Sequence, residues 1–346
     1  MFRNQSRTVQ FEGMLEDIQR LIQSQADFII SQQLPSGAIP WYRGAITDPW
    51  DHVECAMALD FSGRSDAARL AYRWMHDTQN PDGSWYFSYH SDKPQDLTKD
   101  TNFSTYIATG LWSHYLATKD AGFLRHMWPV VEKSIDFALT LQQPRGEIYW
   151  GLSKENEVWP GAILTASSST WLSVKCGIKI AKTLGLARPD WDNASYRLAR
   201  AIKEHPERFD RLGEDKSGHA MTWYYPVLVG LLKGKQAEER ISRRWQDFVI
   251  GGWGCKCFAD RKSVCVAETF ELVLALARMG ARDKARTVRD WVLQFRDSDD
   301  VFYREVSWPQ REIRRTEQGP QLPEKNTWTS AAAILALVAL EGSKTL

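Results

Sequence analysis

The spacing between helical segments constrains this chain more than any other feature. Twelve such segments run through 346 residues, and the breaks between them are alternately very short and very long. The short breaks are Ser62-Gly63-Arg64, Thr118-Lys119-Asp120, Gly185-Leu186-Ala187, Lys233-Gly234-Lys235 and Gly280-Ala281-Arg282. The long ones fall near 34–48, 80–101, 143–160, 205–217, 250–263 and 297–326. Helices joined tightly at one end and loosely at the other are hairpins, and hairpins packed side by side can close into a ring. In such a ring all the long loops gather at one mouth, where binding groups and chemistry are usually carried.

The repeat is written in the letters. Helices entering a long loop end alike, in Gln32-Gln33-Leu34-Pro35-Ser36-Gly37, in Gln79-Asn80-Pro81-Asp82-Gly83-Ser84-Trp85 and in Gln142-Gln143-Pro144-Arg145-Gly146-Glu147-Ile148-Tyr149-Trp150. A more distant copy is Gln294-Phe295-Arg296-Asp297-Ser298-Asp299-Asp300-Val301-Phe302. Gln before a Pro/Gly turn and an aromatic reads as a helix stop, a reversal and an apolar anchor. Four clear units and two degenerate ones, near 205–223 and 250–258, make six.

The helices of each pair differ in kind. The first is amphipathic and charged, as in 11–22 and 282–296, which suits a surface helix. The second is apolar or small nearly all round, which suits an enclosed one. The segments 51–61, 102–117, 163–184, 219–232, 264–279 and 327–341 therefore belong inside, and no strand pattern is sustained anywhere. The expected fold is all-α, an (α/α)6 barrel of six helical hairpins filling residues 1–346 as one domain.

Composition narrows the function classes. Forty-four Lys and Arg against 43 Asp and Glu leave a net charge of +1, which gives no electrostatic case for nucleic acid or a membrane surface. Met1 to Val9 lacks an apolar signal core, and no stretch is apolar enough to span a bilayer, so a cytoplasmic location is expected. Five cysteines are too few for a disulfide framework, and Cys255-Lys256-Cys257 with Cys265 is poorly spaced for zinc. Gly251-Gly252-Trp253-Gly254 lacks the Lys and strand context of a phosphate loop. Neither a metal nor a cofactor is implied, and the partner expected is a small-molecule substrate.

Sixteen tryptophans are an excess, and many fall at the long-loop end: Trp41, Trp50, Trp85, Trp150, Trp159, Trp223, Trp253, Trp308 and Trp328. Any one of them can be rim packing, but as a set they suggest an aromatic-walled cavity. Such walls suit sugar rings, through their C–H faces, or carbocations, through cation–π attraction. Acidic groups share that end. Asp48, Asp51 and Glu54 open the first inner segment, Asp100 and Asn102 the second, Glu155 and Glu157 precede the third, His219 the fourth, and Glu324 the sixth. Helix capping accounts for Asp48 and Asp100. Glu268 and Glu271 differ, because they sit one turn apart within the apolar run 264–276, where a carboxylate needs a partner or a ligand. The expected substrate contacts are Trp41, Trp50, Trp85, Trp159, Trp223 and Trp328 among the indoles, with Glu54, Asn102, Tyr106 and Tyr224 beside them.

Several stretches carry a family resemblance. Asn156-Glu157-Val158-Trp159-Pro160 followed by Thr165-Ala166-Ser167-Ser168-Ser169-Thr170-Trp171 resembles the third repeat of glucoamylase-like glycoside hydrolases, and Pro323-Glu324-Lys325-Asn326-Thr327-Trp328-Thr329-Ser330 resembles their last. The resemblance implies an acid at Glu157, with Glu155 at about the same spacing, and a base at Glu324. Asp48-Pro49-Trp50-Asp51-His52-Val53-Glu54, Met221-Thr222-Trp223-Tyr224-Tyr225-Pro226 and Ala267-Glu268-Thr269 are similar to stretches of bacterial toroid proteins often labelled "prenyltransferase". That label rests on fold, which does not fix function.

Glycoside hydrolysis asks for two carboxyl groups, one donating a proton to the leaving oxygen and one holding water or attacking the sugar. The candidates are Glu157, Glu324, Glu268 and Asp51, acting on an α-linked or uronic-acid-containing oligosaccharide or glycoconjugate. Loop carboxylates about 6.5–9.5 Å apart would make the enzyme inverting. Two alternatives stand beside this reading. A terpene cyclase or prenyltransferase would use the aromatic cavity, and Asp297-Ser298-Asp299-Asp300 matches an Asp-x-Asp-Asp proton donor, though it falls where other units place an ordinary turn. A sugar epimerase, or a binder on the same barrel, would need His52 and His219 to face one cavity.

Overall fold

The computed structural model describes residues 2–211, 218–308, 315–316, 319–320 and 324–341. Its helices are α1 (Phe2–Gln32), α2 (Pro49–Phe61), α3 (Ser65–Thr78), α4 (Thr101–Thr118), α5 (Ala121–Thr140), α6 (Leu164–Thr183), α7 (Pro189–Glu204), α8 (Ala220–Leu228), α9 (Lys235–Arg243), α10 (Trp245–Phe248), α11 (Val266–Arg278), α12 (Arg282–Val292) and α13 (Thr327–Leu340). The inner ring runs α2, α4, α6, α8, α11 and α13, each packed on the next, and α13 closes back on α2. Helices α1, α3, α5, α7, α9 and α12 clad it, with the single turn of α10 following α9. This is the (α/α)6 barrel.

Side-chain pattern sorts the two rings. Helix α13, Thr-Trp-Thr-Ser-Ala-Ala-Ala-Ile-Leu-Ala-Leu-Val-Ala-Leu, carries no charge and is buried almost throughout. Helix α12 buries only Ala285, Val288, Arg289 and Val292, a single stripe with helical spacing. The fourth inner helix is shorter than its apolar run, ending at Leu228, two residues after Pro226 removes an N–H from the ladder. Among the described residues no helix is long and apolar enough to cross a membrane.

The repeated glutamines are staples between outer helices. Gln33 donates its side-chain amide to the carbonyls of Gly37 and Ala67, Gln79 to those of Gly83 and Val130, and Gln142 to those of Gly146 and Ala194, all at 3.0–3.1 Å. Each therefore closes its own turn and grips the next outer helix. Gly83 has φ of +92°, and a Cβ there would overlap the Lys133 carbonyl of α5; Gly37 and Gly146 sit in the same way against α3 and α7. In the last copy Asp300 takes the positive-φ place, and Gln25 of α1 donates to its carbonyl, which ties the final loop to the first helix. The Asp297 carboxylate accepts the Asp299 and Val301 N–H groups and pairs with Lys325, so this Asp-x-Asp-Asp is a turn.

The long loops contain short strands that the sequence pattern does not reveal. Ser88–His90 pairs with Lys93–Asp96; Lys99–Asp100, Gly151–Leu152 and Val158–Trp159 form one small sheet; Ser263–Cys265 pairs with Glu305–Ser307. Strands of two to four residues are too short for a period-two alternation to register. They satisfy loop backbone groups and stitch neighbouring loops into one rim.

Candidate active site

The rim surrounds a cavity of about 600 Å3 over the loop ends of α4, α6 and α8. Trp50, Phe87, Phe103, Trp150 and Trp159 supply its rings. Trp50 meets Phe103, Tyr106 and Tyr225 edge-on at 5.6–5.9 Å, Trp159 stands edge-on to Trp150 at 4.5 Å, and Phe87 stacks on Phe103 at 4.7 Å. Polar groups enter from helix starts: Asp100, Asn102, Thr165, His219 and Thr222. Asn102 is fully buried, and neither its amide nitrogen nor its amide oxygen has a protein partner. A buried amide left so is costly unless water or a ligand completes it.

Beside this cavity lies a cluster of carboxyl groups. Asp48 just precedes α2, Asp51 and Glu54 lie in it and Glu268 and Glu271 in α11, the two inner helices that flank α13. Asp48 caps α2, accepting the Asp51 N–H at 2.9 Å and the Trp41 indole N–H at 2.7 Å. Burial pushes Asp51 well above the usual carboxylate range, and the charges of Asp48, Glu54 and Glu271 push it further. Burial likewise raises Glu54, with Glu271 and Asp48 adding repulsion. Glu271 rises to about 7 through burial, held back by hydrogen bonds from the Tyr224 phenol and from Trp328. Burial raises Glu268 well above normal; a hydrogen bond with Cys257 opposes this, the Glu271 charge adds to it, and one of its oxygens has no partner. Asp100, the cap of α4, is raised by burial to about 7. Carboxyl groups that keep protons near neutrality are what acid catalysis at that pH requires.

The structure sorts the expected site residues. Trp50, Asn102 and Trp159 wall the cavity, while Glu54, Tyr106, Tyr224 and Trp328 lie in or against the carboxylate cluster. Trp41 is half-buried and serves Asp48. Trp85 and Trp223 are core residues rather than walls of this cavity. Trp85 is fully buried with its N–H on the Met75 carbonyl, and Trp223 is 1% exposed, stacked on Phe248 with its N–H on Arg240. Glu157 stands exposed on a hairpin and Glu324 is exposed against Arg304 at 3.2 Å; neither is among the residues walling the cavity. His52 is enclosed, accepting the Ile39 N–H at Nδ1 and donating from Nε2 to Ala71, and burial lowers it to about 4. It cannot join His219, which does wall the cavity, as an epimerase pair.

Phe87, Phe103 and Met221 also wall the cavity without having been singled out from the sequence. For Phe87 a signal existed. Counting from the staple glycine, Ile39, Trp85 and Ile148 occupy the second position and are buried, whereas Trp41, Phe87 and Trp150 occupy the fourth and stand at the mouth.

No protein-family model matches the chain. A curated relative, the MMP endo-(1,4)-3-O-methyl-alpha-D-mannosidase of Mycolicibacterium hassiacum, is 43% identical over 316 residues, which is 91% of this chain and 84% of the relative. Among solved structures, a glycosidase superposes with a TM-score of 0.73 at 14% identity, covering 95% of this chain and 98% of its own. An alpha-amylase from Clostridium perfringens gives 0.66 at 8% identity (92% and 97%), and a cellobiose 2-epimerase from Spirochaeta thermophila 0.65 at 15% (95% and 98%). At such identities the structures share the fold alone. These likenesses are to carbohydrate-acting proteins and lend no support to an isoprenoid substrate.

Proposed function

This chain belongs to the family of the MMP endo-(1,4)-3-O-methyl-alpha-D-mannosidase, and we propose that, as a glycoside hydrolase of that family, it cleaves internal α-(1,4) links between 3-O-methylmannose units. Asp51 and Glu268 carry the proton transfers. The observation behind this pair is positional: the two groups stand in the first turns of the helices either side of α13, with Glu271 in electrostatic reach of both.

Glu268 is the acid. Burial holds its proton, and it gives that proton to the glycosidic oxygen as the C–O bond breaks. Asp51 is the base. At the start of α2 its side chain keeps partial contact with solvent, and once its proton has left, the carboxylates around it make it more basic than an exposed aspartate. It takes a proton from the water that attacks the anomeric carbon. The loop pair Glu157 and Glu324 suits these roles less well. Glu157 is exposed on its hairpin and Glu324 is paired with Arg304, and neither walls the cavity.

Asp51→Asn and Glu268→Gln are the test, assayed on a 3-O-methylmannose oligosaccharide with circular dichroism as the control for folding. Each lowers kcat by about 10²–10⁴-fold, the usual loss for a positioned acid or base. Glu157→Gln stays within a few-fold of wild type. Wild-type turnover in both cluster variants would overturn the assignment.

A further inference from the structure

Building on the hydrolytic reading above, we infer that the chamber over α4, α6 and α8 is a subsite for a neighbouring sugar unit and selects that unit by its O-methyl group. The chamber does not coincide with the acid and base. Its walls come from the second, third and fourth units with Trp50, whereas Asp51 and Glu268 belong to the first and fifth. At about 600 Å3 it lies in the range that accepts a whole small ligand.

Its lining has a clear division. The side chains of Phe87, Phe103, Ile163, Ala166 and Met221 carry no nitrogen or oxygen, and Phe87 and Phe103 are stacked on each other. A free hydroxyl placed against those side chains gives up water and finds no donor or acceptor in return. A methyl ether there has no hydrogen to donate and gains from burying its methyl group. Asn102 lines the same chamber and brings the complementary chemistry. Its amide oxygen can accept from one sugar hydroxyl while its amide nitrogen donates to an adjacent oxygen, which supplies the two partners that the protein does not. A sugar with one hydroxylated edge on Asn102 and one methylated edge on the phenylalanines satisfies every group named. One methyl in an apolar pocket discriminates by about 10–200-fold.

The probes are sulfur-linked α-(1,4) mannose disaccharides, with and without 3-O-methyl groups, titrated by intrinsic tryptophan fluorescence. Because they resist hydrolysis, binding is read whether or not Asp51 and Glu268 have the roles given above. Wild type binds the methylated probe about 10–200-fold more tightly. Phe87→Asn, which places an amide among the apolar side chains, brings the two affinities to within about threefold, below that range. Met221→Gln does the same by a second route should Phe87→Asn fold poorly. Asn102→Ala weakens both probes alike and keeps their ratio. Equal binding of the two probes by wild type overturns the inference, as does an unchanged ratio in a folded Phe87→Asn or Met221→Gln protein. A preserved preference alongside fully active Asp51→Asn and Glu268→Gln proteins overturns the acid–base assignment alone.

Discussion

The phenol of Tyr224 donates a hydrogen bond to the carboxylate of Glu271, joining the fourth inner helix to the fifth within the acidic cluster. Both side chains are buried, and the bond favours the ionised glutamate that burial opposes. Glu271 in turn repels charge on Asp51, Glu54 and Glu268. Tyr224 therefore sets how much negative charge surrounds the proposed base.

Tyr224→Phe separates this role from packing, because the ring remains. Without the phenol, Glu271 titrates above its value of about 7, visible as a carboxylic-acid band persisting to higher pH in infrared difference spectra. A neutral Glu271 removes one repulsion from Asp51, whose own proton then leaves at lower pH. The acidic limb of the kcat/KM profile moves down. A limb that stays in place while the infrared band moves would separate Glu271 from Asp51.

Stability depends on pH through the same cluster. Asp48, Asp51, Glu54, Asp100, Glu268 and Glu271 all hold protons more tightly in the fold than the unfolded carboxyl values near 4. Between those values and their folded ones the native state binds more protons than the unfolded chain, so stability falls as pH rises through that window. His52 works the other way. It is lowered to about 4, and its contribution is lost as pH falls from the unfolded value near 6.5. The lowered Asp82, Asp120, Asp190 and Asp297 add to the loss below about pH 4. Six raised carboxyls outweigh one histidine, so the melting temperature peaks near about pH 4, close to the unfolded carboxyl values, and declines toward pH 8. Calorimetry that finds the maximum above pH 7 would refute this balance.

The glutamine staples predict where the barrel is brittle. Gly83→Ala asks a side chain to adopt φ of +92° against the Lys133 carbonyl, and strain of this kind costs about 1–3 kcal/mol before the clash is counted. Gln79→Ala leaves the Gly83 and Val130 carbonyls without their shared donor, at about 1–3 kcal/mol for each that becomes buried and unpaired. Urea unfolding measures both. Gly63→Ala, at positive φ but with open space around it, shows only the backbone strain and is the control.

The rings of the barrel were legible because the signal was long. Helices of 11 to 20 residues such as α12 and α6 display a full period, so 282–296 and 163–184 sorted correctly to outside and inside. The rim was less legible, because strands such as Gly151–Leu152 are set by cross-loop pairing and hold no pattern of their own. Glu268 stood out as a charge within an apolar run, and burial agrees with that reading. Glu157 and Glu324 were suggested by neighbouring Trp and Thr/Ser residues, which the exposed loops carry without enclosing the acids. Exposure of a loop side chain depends on residues distant in sequence, and local letters do not encode it.

Trp85 and Trp159 give the last prediction, since composition treats them as equals and the fold does not. Trp85 fills the space behind α3 and α4, fully buried, with its N–H on the Met75 carbonyl and on Thr78. Its loss is a core cavity, and Trp85→Ala lowers stability by about 3–5 kcal/mol. Trp159 is 41% exposed at the cavity wall and pairs edge-to-face with Trp150, so Trp159→Ala leaves the melting temperature nearly unchanged. What it removes is a face for a sugar ring, on the order of 1 kcal/mol, which raises KM for a long oligosaccharide about fivefold with little change in kcat. Denaturation and initial rates on the two variants decide the matter. If Trp85→Ala were as stable as wild type, or if Trp159→Ala lost stability in place of affinity, the division of the indoles between core and cavity would be wrong.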